Sequence, residues 1–137
     1  MNTIVNTSNY PTREVKKIVR RALGYVGVDV RRVTVQHFVK RTWAGERTWM
    51  GGWYQPGGAI VAKIVKPEYK PHDYVPYSRK RGTCPRFELR DWREQLVALV
   101  AHEAYHHRQW LRSEPYVEAD ADLAAYRAVG YWREDES

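Results

Sequence analysis

The sequence predicts an α+β fold in one domain, and three observations carry that prediction. Apolar residues recur with helical period near the N-terminus and again over the last third of the chain. A block between them alternates with period two, and 137 residues, 43% of them hydrophobic, are enough for a single core. The predicted order is an N-terminal helix, three strands in a small twisted sheet, a long loop, and two further helices.

Each element has its own signal. Pro11 suits a helix start, Val15, Ile18, Val19, Ala22 and Val26 share one side of the helix, and Gly24 is the expected stop. From Val30 to Val39 the run VRRVTVQHFV puts Val33, Val35 and His37 on one face and Arg32, Thr34, Gln36 and Phe38 on the other, which describes a strand. Arg47 to Tyr54 and Gly58 to Val65 read as a hairpin around the turn-forming Gln55-Pro56-Gly57. Residues 67–86 hold Pro67, Pro71, Pro76 and Pro85 with Tyr69, Tyr74, Tyr77 and the basic run Arg79-Lys80-Arg81, a long loop of the kind that is functional or disordered. Asp91 to Leu111 carries Trp92, Leu96, Leu99, Val100 and Trp110 at helical spacing without Gly or Pro. Ser113 is the expected N-cap of the last helix, with Glu114 and Glu118 in its acidic first turns and Gly130 after Val129 as its end. Residues 1–137 thus read as one domain closed by an acidic tail at 131–137.

Composition narrows the function classes. Nine Gly, seven Pro and one Cys exclude collagen-like, low-complexity and disulfide-stapled chains. Cys84 has no partner for an internal bridge, no apolar run reaches the roughly 20 residues of a membrane span, and Met1 to Tyr10 has no apolar signal segment, so a cytoplasmic protein without membrane partners is expected. The net charge of +7 hides an asymmetry. Residues 1–90 hold 18 Lys and Arg against 6 Asp and Glu, and residues 91–137 hold 5 against 10. Such a division serves either solubility and internal complementarity or an electrostatic footprint for nucleic acid or an acidic substrate. Lys16, Lys17, Arg20 and Arg21, mostly off the apolar stripe of the first helix, are either a solvated face or a phosphate-contacting one.

The long helix contains His102-Glu103-Ala104-Tyr105-His106, an HExxH motif. Residues four apart on a helix are separated by about 40° and about 6 Å, so both imidazoles can share one ion. Glu103 lies beside them, placed to reach a water on that ion as a general base rather than to ligate it. Two imidazoles need a third donor, and a carboxylate completes a catalytic set with one position left open. The chain runs about 9 Å past His106 before it turns, and in an antiparallel helix Glu118 returns to the level of His106. Asp122, one turn on, then lies beside His102 and can accept its spare ring N–H, fixing the tautomer. Asp120 is turned about 200° from Glu118 and faces away. Ala121 and Ala125 are small enough to let the two helices approach closely.

HEAYH at 102–106 followed by EADAD at 118–122 resembles the HExxH plus ExxAD signature of gluzincin zinc metallopeptidases. The match spans the last two helices, and the element order is similar to that of minimal single-domain gluzincins. The resemblance implies a zincin-like fold with an active-site helix and a C-terminal ligand helix. It further implies Zn²⁺ held by His102, His106 and Glu118, Glu103 as base and proton shuttle, Asp122 supporting a ligand, and a peptide or protein substrate. It also makes the strand at 58–65 the sheet edge that pairs with an extended substrate. One departure is a gap between His106 and Glu118 shorter than in most larger members.

Other residues have two readings each. Tyr126, one turn beyond Asp122, either stabilises a developing oxyanion or packs in the core. His107 lies about 100° round from His106 and reads as a packing or surface residue; His37 and His72 are isolated. Cys84 is a thiol that could ligate and silence the ion. Trp43, Trp49, Trp53 and Tyr54, interleaved with Arg41 and Arg47, form either hairpin packing or a stacking surface for single-stranded nucleic acid. The expected activity is therefore a zinc-dependent peptidase. The alternatives are a nucleic-acid-binding or interaction protein with a structural metal site, and a protease recruited by DNA or RNA.

Overall fold

A computed structural model describes residues 3–37, 51–65, 67–76 and 84–137. It is α+β, with three helices among the described residues and a small mixed sheet. The elements are β1 (Thr3–Asn6), α1 (Thr12–Val26), β2 (Arg32–His37), β3 (Gly51–Gln55), β4 (Ala59–Ile64), β5 (His72–Tyr74), β6 (Phe87–Leu89), α2 (Trp92–Leu111) and α3 (Glu118–Glu136). The main sheet has the order β1-β2-β4-β3, with β1, β2 and β4 parallel and β3 antiparallel to β4. Four strands replace the three expected. β1 escapes sequence reading because four residues, of which only Ile4 is buried, are too short to display alternation.

The alternation predicted for β2 is present. Val33 and Val35 are buried and paired with Ile60 and Ala62 of β4, while Thr34 and Val61 on the other face stay half-buried. The hairpin is also present as β3 and β4, its turn closed by Gly58 N–H donating to the Gln55 carbonyl at 3.2 Å. Gly58 has φ +106°, and a Cβ there would sit 3.1 Å from Arg31 N and 3.3 Å from His107 Cε1, so the turn can approach both the β2 entry and α2 only without a side chain. The first part of the predicted strand 47–54, and Phe38, Arg41, Trp43, Arg47, Trp49, Tyr77 and the run Arg79–Arg81, lie outside the described residues.

Helices cover one face of the sheet. α2 is the central rod: Glu94 through Ala104 are buried without a break, and it packs on α1, α3, β3 and β4. Its start is fixed by Asp91, whose Oδ1 accepts from Glu94 N at 2.9 Å, while Glu94 Oε1 accepts from Arg90 N at 2.9 Å, a close relative of the capping box. Glu94 is buried and also takes two bonds from Arg133 of α3, at 2.8 and 2.9 Å.

Four predicted boundaries move. α1 passes Gly24 and ends at Gly27, whose φ of 79° lets its N–H cap the Leu23 carbonyl. Within the predicted loop, β5 pairs with β6, since Pro71 and Pro76 flank the three-residue strand rather than interrupt it. Ser113 does not cap the last helix; with φ 54° it forms the left-handed residue that stops α2, and Glu114 N–H donates back to the Gln109 carbonyl at 2.9 Å. Pro115 then favours an extended path, and α3 begins only at Glu118. Gly130 does not end α3, because continuing the helix buries Trp132 and brings Arg133 onto Glu94. Among the described residues no helix is long and apolar enough to cross a membrane.

Candidate metal centre

His102 and His106 lie one turn apart on the buried part of α2, and Glu118 opens α3 directly across from them. The four residues 114–117, outside any helix or strand, can span up to about 13 Å, enough to recover the roughly 9 Å that α2 runs beyond His106. Glu118 therefore reaches the predicted level by a different path from the helix first expected. Its Oε1 lies 3.1 Å from His102 Nε2 and 2.6 Å from His106 Nε2. One ligand atom from each of the three residues falls within 4.8 Å of the others, a set that can hold a metal ion.

The chemistry of this donor set fits a cation because each imidazole is held by its other nitrogen. His102 Nδ1 is 3.1 Å from Asp122 Oδ1 and 2.9 Å from the Tyr74 hydroxyl, which itself donates to Asp122 Oδ1 at 2.5 Å. His106 Nδ1 is 2.9 Å from Gln109 Oε1. With Asp122 and Gln109 there to accept from both Nδ1–H groups, a cation at the Glu118 oxygen would displace any proton on the Nε2 atoms and find both lone pairs turned toward it, the tautomer a metal ligand requires. Glu103 stands aside, its Oε2 3.9 Å from His102 Nε2, and is not among the converging atoms.

Charge strengthens the case. Glu103, Glu118 and Asp122 surround two imidazoles. Burial alone would lower the His102 pKa, but the hydrogen bonds to Asp122 and Glu118, with the nearby charges, raise it to about 10. Glu118 is held below the usual carboxylate range by its bond with His102, against the opposing effect of burial. Burial pushes the Glu103 carboxyl up, against the attraction of the two imidazoles, toward the range a proton-transfer group needs. The point where the ligand atoms meet is thus one at which positive charge is strongly favoured.

The open side is a cleft of about 240 Å³ lined by Gly52, Trp53, Tyr54, Tyr116 and the site residues His102, Glu103, His106 and Glu118. Sequence reading missed Tyr74, Gln109, Tyr54 and Tyr116. Gln109 was within reach, since it lies one turn beyond His106 on the same face. Tyr74 had no local signal, because its partner Asp122 is 48 residues away. Tyr116 sits in the link between the helices, with its ring 5.1 Å from His106 and 6.0 Å from Tyr54.

The remaining candidates fall elsewhere. Tyr126 is 42% exposed, packs edge-on against Phe87 at 5.3 Å, and is not among the residues lining the cleft. This corrects its expected position: one turn beyond Asp122 the helix has already passed the cleft, and Tyr126 meets Phe87 of β6 instead. Among the described residues the edges of the main sheet are β1 and β3, and the strand at 58–65 lies inside it as β4. His107 packs as predicted, its Nδ1 2.5 Å from the Tyr54 hydroxyl and its ring stacked on Trp110. His37 Nε2 accepts from Asn9 N–H at 2.8 Å, and His72 Nδ1 meets the Lys70 carbonyl at 3.0 Å. Cys84 is buried with its thiol pushed up to about 12 by burial and by the charge of Asp122, so it stays protonated and outside the donor set. Trp53 is half-exposed, with Lys63 Nζ 5.1 Å from its ring centre. Asp120 is exposed, and Ala121 and Ala125 are fully buried, as their helix phase predicted. The chain matches no protein-family model, no curated protein and no solved structure.

Proposed function

We propose that the protein is a zinc-dependent metallopeptidase that hydrolyses peptide bonds within its protein or peptide substrates. The observation that supports this reading is the open-sided meeting of His102 Nε2, His106 Nε2 and Glu118 Oε1, with a buried carboxylate, Glu103, beside them and outside the ligand set. Two imidazoles and one carboxylate are a donor set suited to Zn²⁺, and a closed structural site would bring a fourth protein ligand to the same point. When bound, the ion supplies Lewis acidity toward a water and toward the substrate carbonyl.

The chain's own residues do the rest. Glu103 takes a proton from the attacking water and returns it to the departing amine, a shuttle helped by burial that keeps its proton affinity high. Asp122 and Tyr74 hold His102, and Gln109 holds His106, so neither ligand reorients during turnover. Tyr116 replaces Tyr126 as the phenol that faces the cleft, where it can donate to the oxygen that gains charge in the transition state.

Digestion of a peptide library, with and without chelator, tests this reading. Chelator-sensitive cleavage is expected from the natural chain, whereas the Glu103→Gln variant retains zinc and loses hydrolysis by at least about 10²-fold. Undiminished turnover in that variant removes Glu103 from the mechanism, and no cleavage by the zinc-loaded natural chain overturns the peptidase reading.

A further inference from the structure

The outward face of α1 carries charge that helix stability does not explain. Arg13, Lys17, Arg20 and Gly24 form a single exposed line at i, i+4, i+7 and i+11, with half-buried Lys16 beside it. The three cations of that line span about 10 Å along the axis. Arg13 lies in the first turn, where the helix dipole disfavours a cation, and the last turn, where the dipole would favour one, has no basic residue. Arg13 with Lys17, Lys16 with Arg20, and Lys17 with Arg21 are like-charge pairs four apart, which weaken a helix further.

Nearby acids do not relieve this repulsion. Glu14 bonds Arg93 at 2.9 Å, Glu136 bonds Arg21 at 2.8 Å, and Asp135 accepts from the Tyr25 hydroxyl at 2.5 Å. The acidic end of α3 thus engages Arg21 and Tyr25. Among the described residues no carboxylate pairs with Arg13, Lys16, Lys17 or Arg20. The face is not a membrane anchor, because the apolar stripe of α1 from Val15 to Val26 is buried in the core and unavailable to lipid.

We propose that the row Arg13, Lys17 and Arg20, flanked by Lys16, binds the phosphate backbone of duplex nucleic acid. A line of equal positive charges on a rigid helix matches a regular array of phosphates. Gly24, with nothing within 4 Å of where its Cβ would be, continues the line as bare backbone that a strand can approach. No aromatic side chain lies on the row, so recognition rests on charge and is indifferent to sequence. This inference is independent of the peptidase reading.

Anisotropy of a fluorescein-labelled mixed-sequence 20-base-pair DNA, titrated with the full chain between 25 and 200 mM NaCl, tests it. Three contacts predict a slope of about −3 in log affinity against log salt, equal for a duplex of unrelated sequence. Lys17→Gln with Arg20→Gln should reduce the slope by about 2. The charge-reversed variant Arg13→Glu/Lys17→Glu should abolish binding at 100 mM NaCl while melting no lower than the natural chain, since acids suit the N-terminal turns. Glu103→Gln should bind DNA as the natural chain does. The proposal is overturned by absence of binding at 25 mM NaCl, by an unchanged slope in the double Gln variant, or by binding to phosphatidylserine vesicles in preference to DNA.

Discussion

The two histidines of the candidate metal centre sit one turn apart on the same helix, yet they are held very differently. His102 leans on a buried carboxylate, Asp122, which is itself held by Tyr74 from the small β5-β6 sheet. His106 leans on a neutral amide, Gln109, supplied by α2 itself at i+3. One ligand is therefore oriented by charge from two distant elements, and the other by a local dipole. The difference teaches that His102 ties the His102-His106-Glu118 cluster to the tertiary fold, while His106 would keep its support in any intact α2.

Variants can break this comparison in graded steps. Removing a ligand outright has the largest effect: His102→Ala and Glu118→Ala should each abolish zinc retention, read as metal content after dialysis. Asp122→Asn keeps the shape and removes the charge. It should weaken zinc binding by about 10- to 100-fold in a chelator competition. Gln109→Leu should weaken it less than Asp122→Asn does, and the reverse order would show that charge is not what distinguishes the two supports. Tyr74→Phe removes one hydrogen bond to a buried carboxylate and should lower stability by about 1.5–3 kcal/mol in chemical denaturation.

The smallest effect sharpens the comparison by separating site from scaffold. Burial would raise the Glu94 pKa, but Arg133 and the Arg90 N–H hold it below the usual carboxylate range. A carboxylate whose folded pKa is depressed contributes stability that is present above its unfolded value of about 4.3 and lost as pH falls through its folded one. The natural chain should accordingly lose stability below about pH 4 more steeply than Glu94→Gln, measured as melting temperature against pH.

Much of this centre was legible in the sequence because its central parts are helical, and helical phase is local information. His102, Glu103 and His106 follow from the 3.6-residue period alone, and Glu118, Asp122 and Asp120 were ordered by the same phase once a turn was recognised at Ser113. The period-two run at Val33 and Val35 and the Gln55-Pro56-Gly57 turn likewise located β2 and the β3-β4 hairpin. What was not legible depends on contacts distant in sequence or on unusual backbone. Ser113 looked like a cap because its hydroxyl suits one, but it takes a left-handed φ of 54° that closes the end of α2, with the Glu114 N–H returning to the Gln109 carbonyl. Tyr74 is a hydrogen-bond donor only because β5 pairs with β6. Gly24 and Gly130 looked like helix ends, yet the apolar residues beyond them, Val26 and Trp132, gain enough by burial to carry each helix through.

The central claim is that His102, His106 and Glu118 jointly bind one divalent ion, and metal stoichiometry tests it most directly. The natural chain, loaded with zinc and dialysed, should retain one zinc per chain, and the Glu118→Ala variant prepared in parallel should retain none. Equal zinc content in the two proteins, or none in the natural chain, would contradict the account.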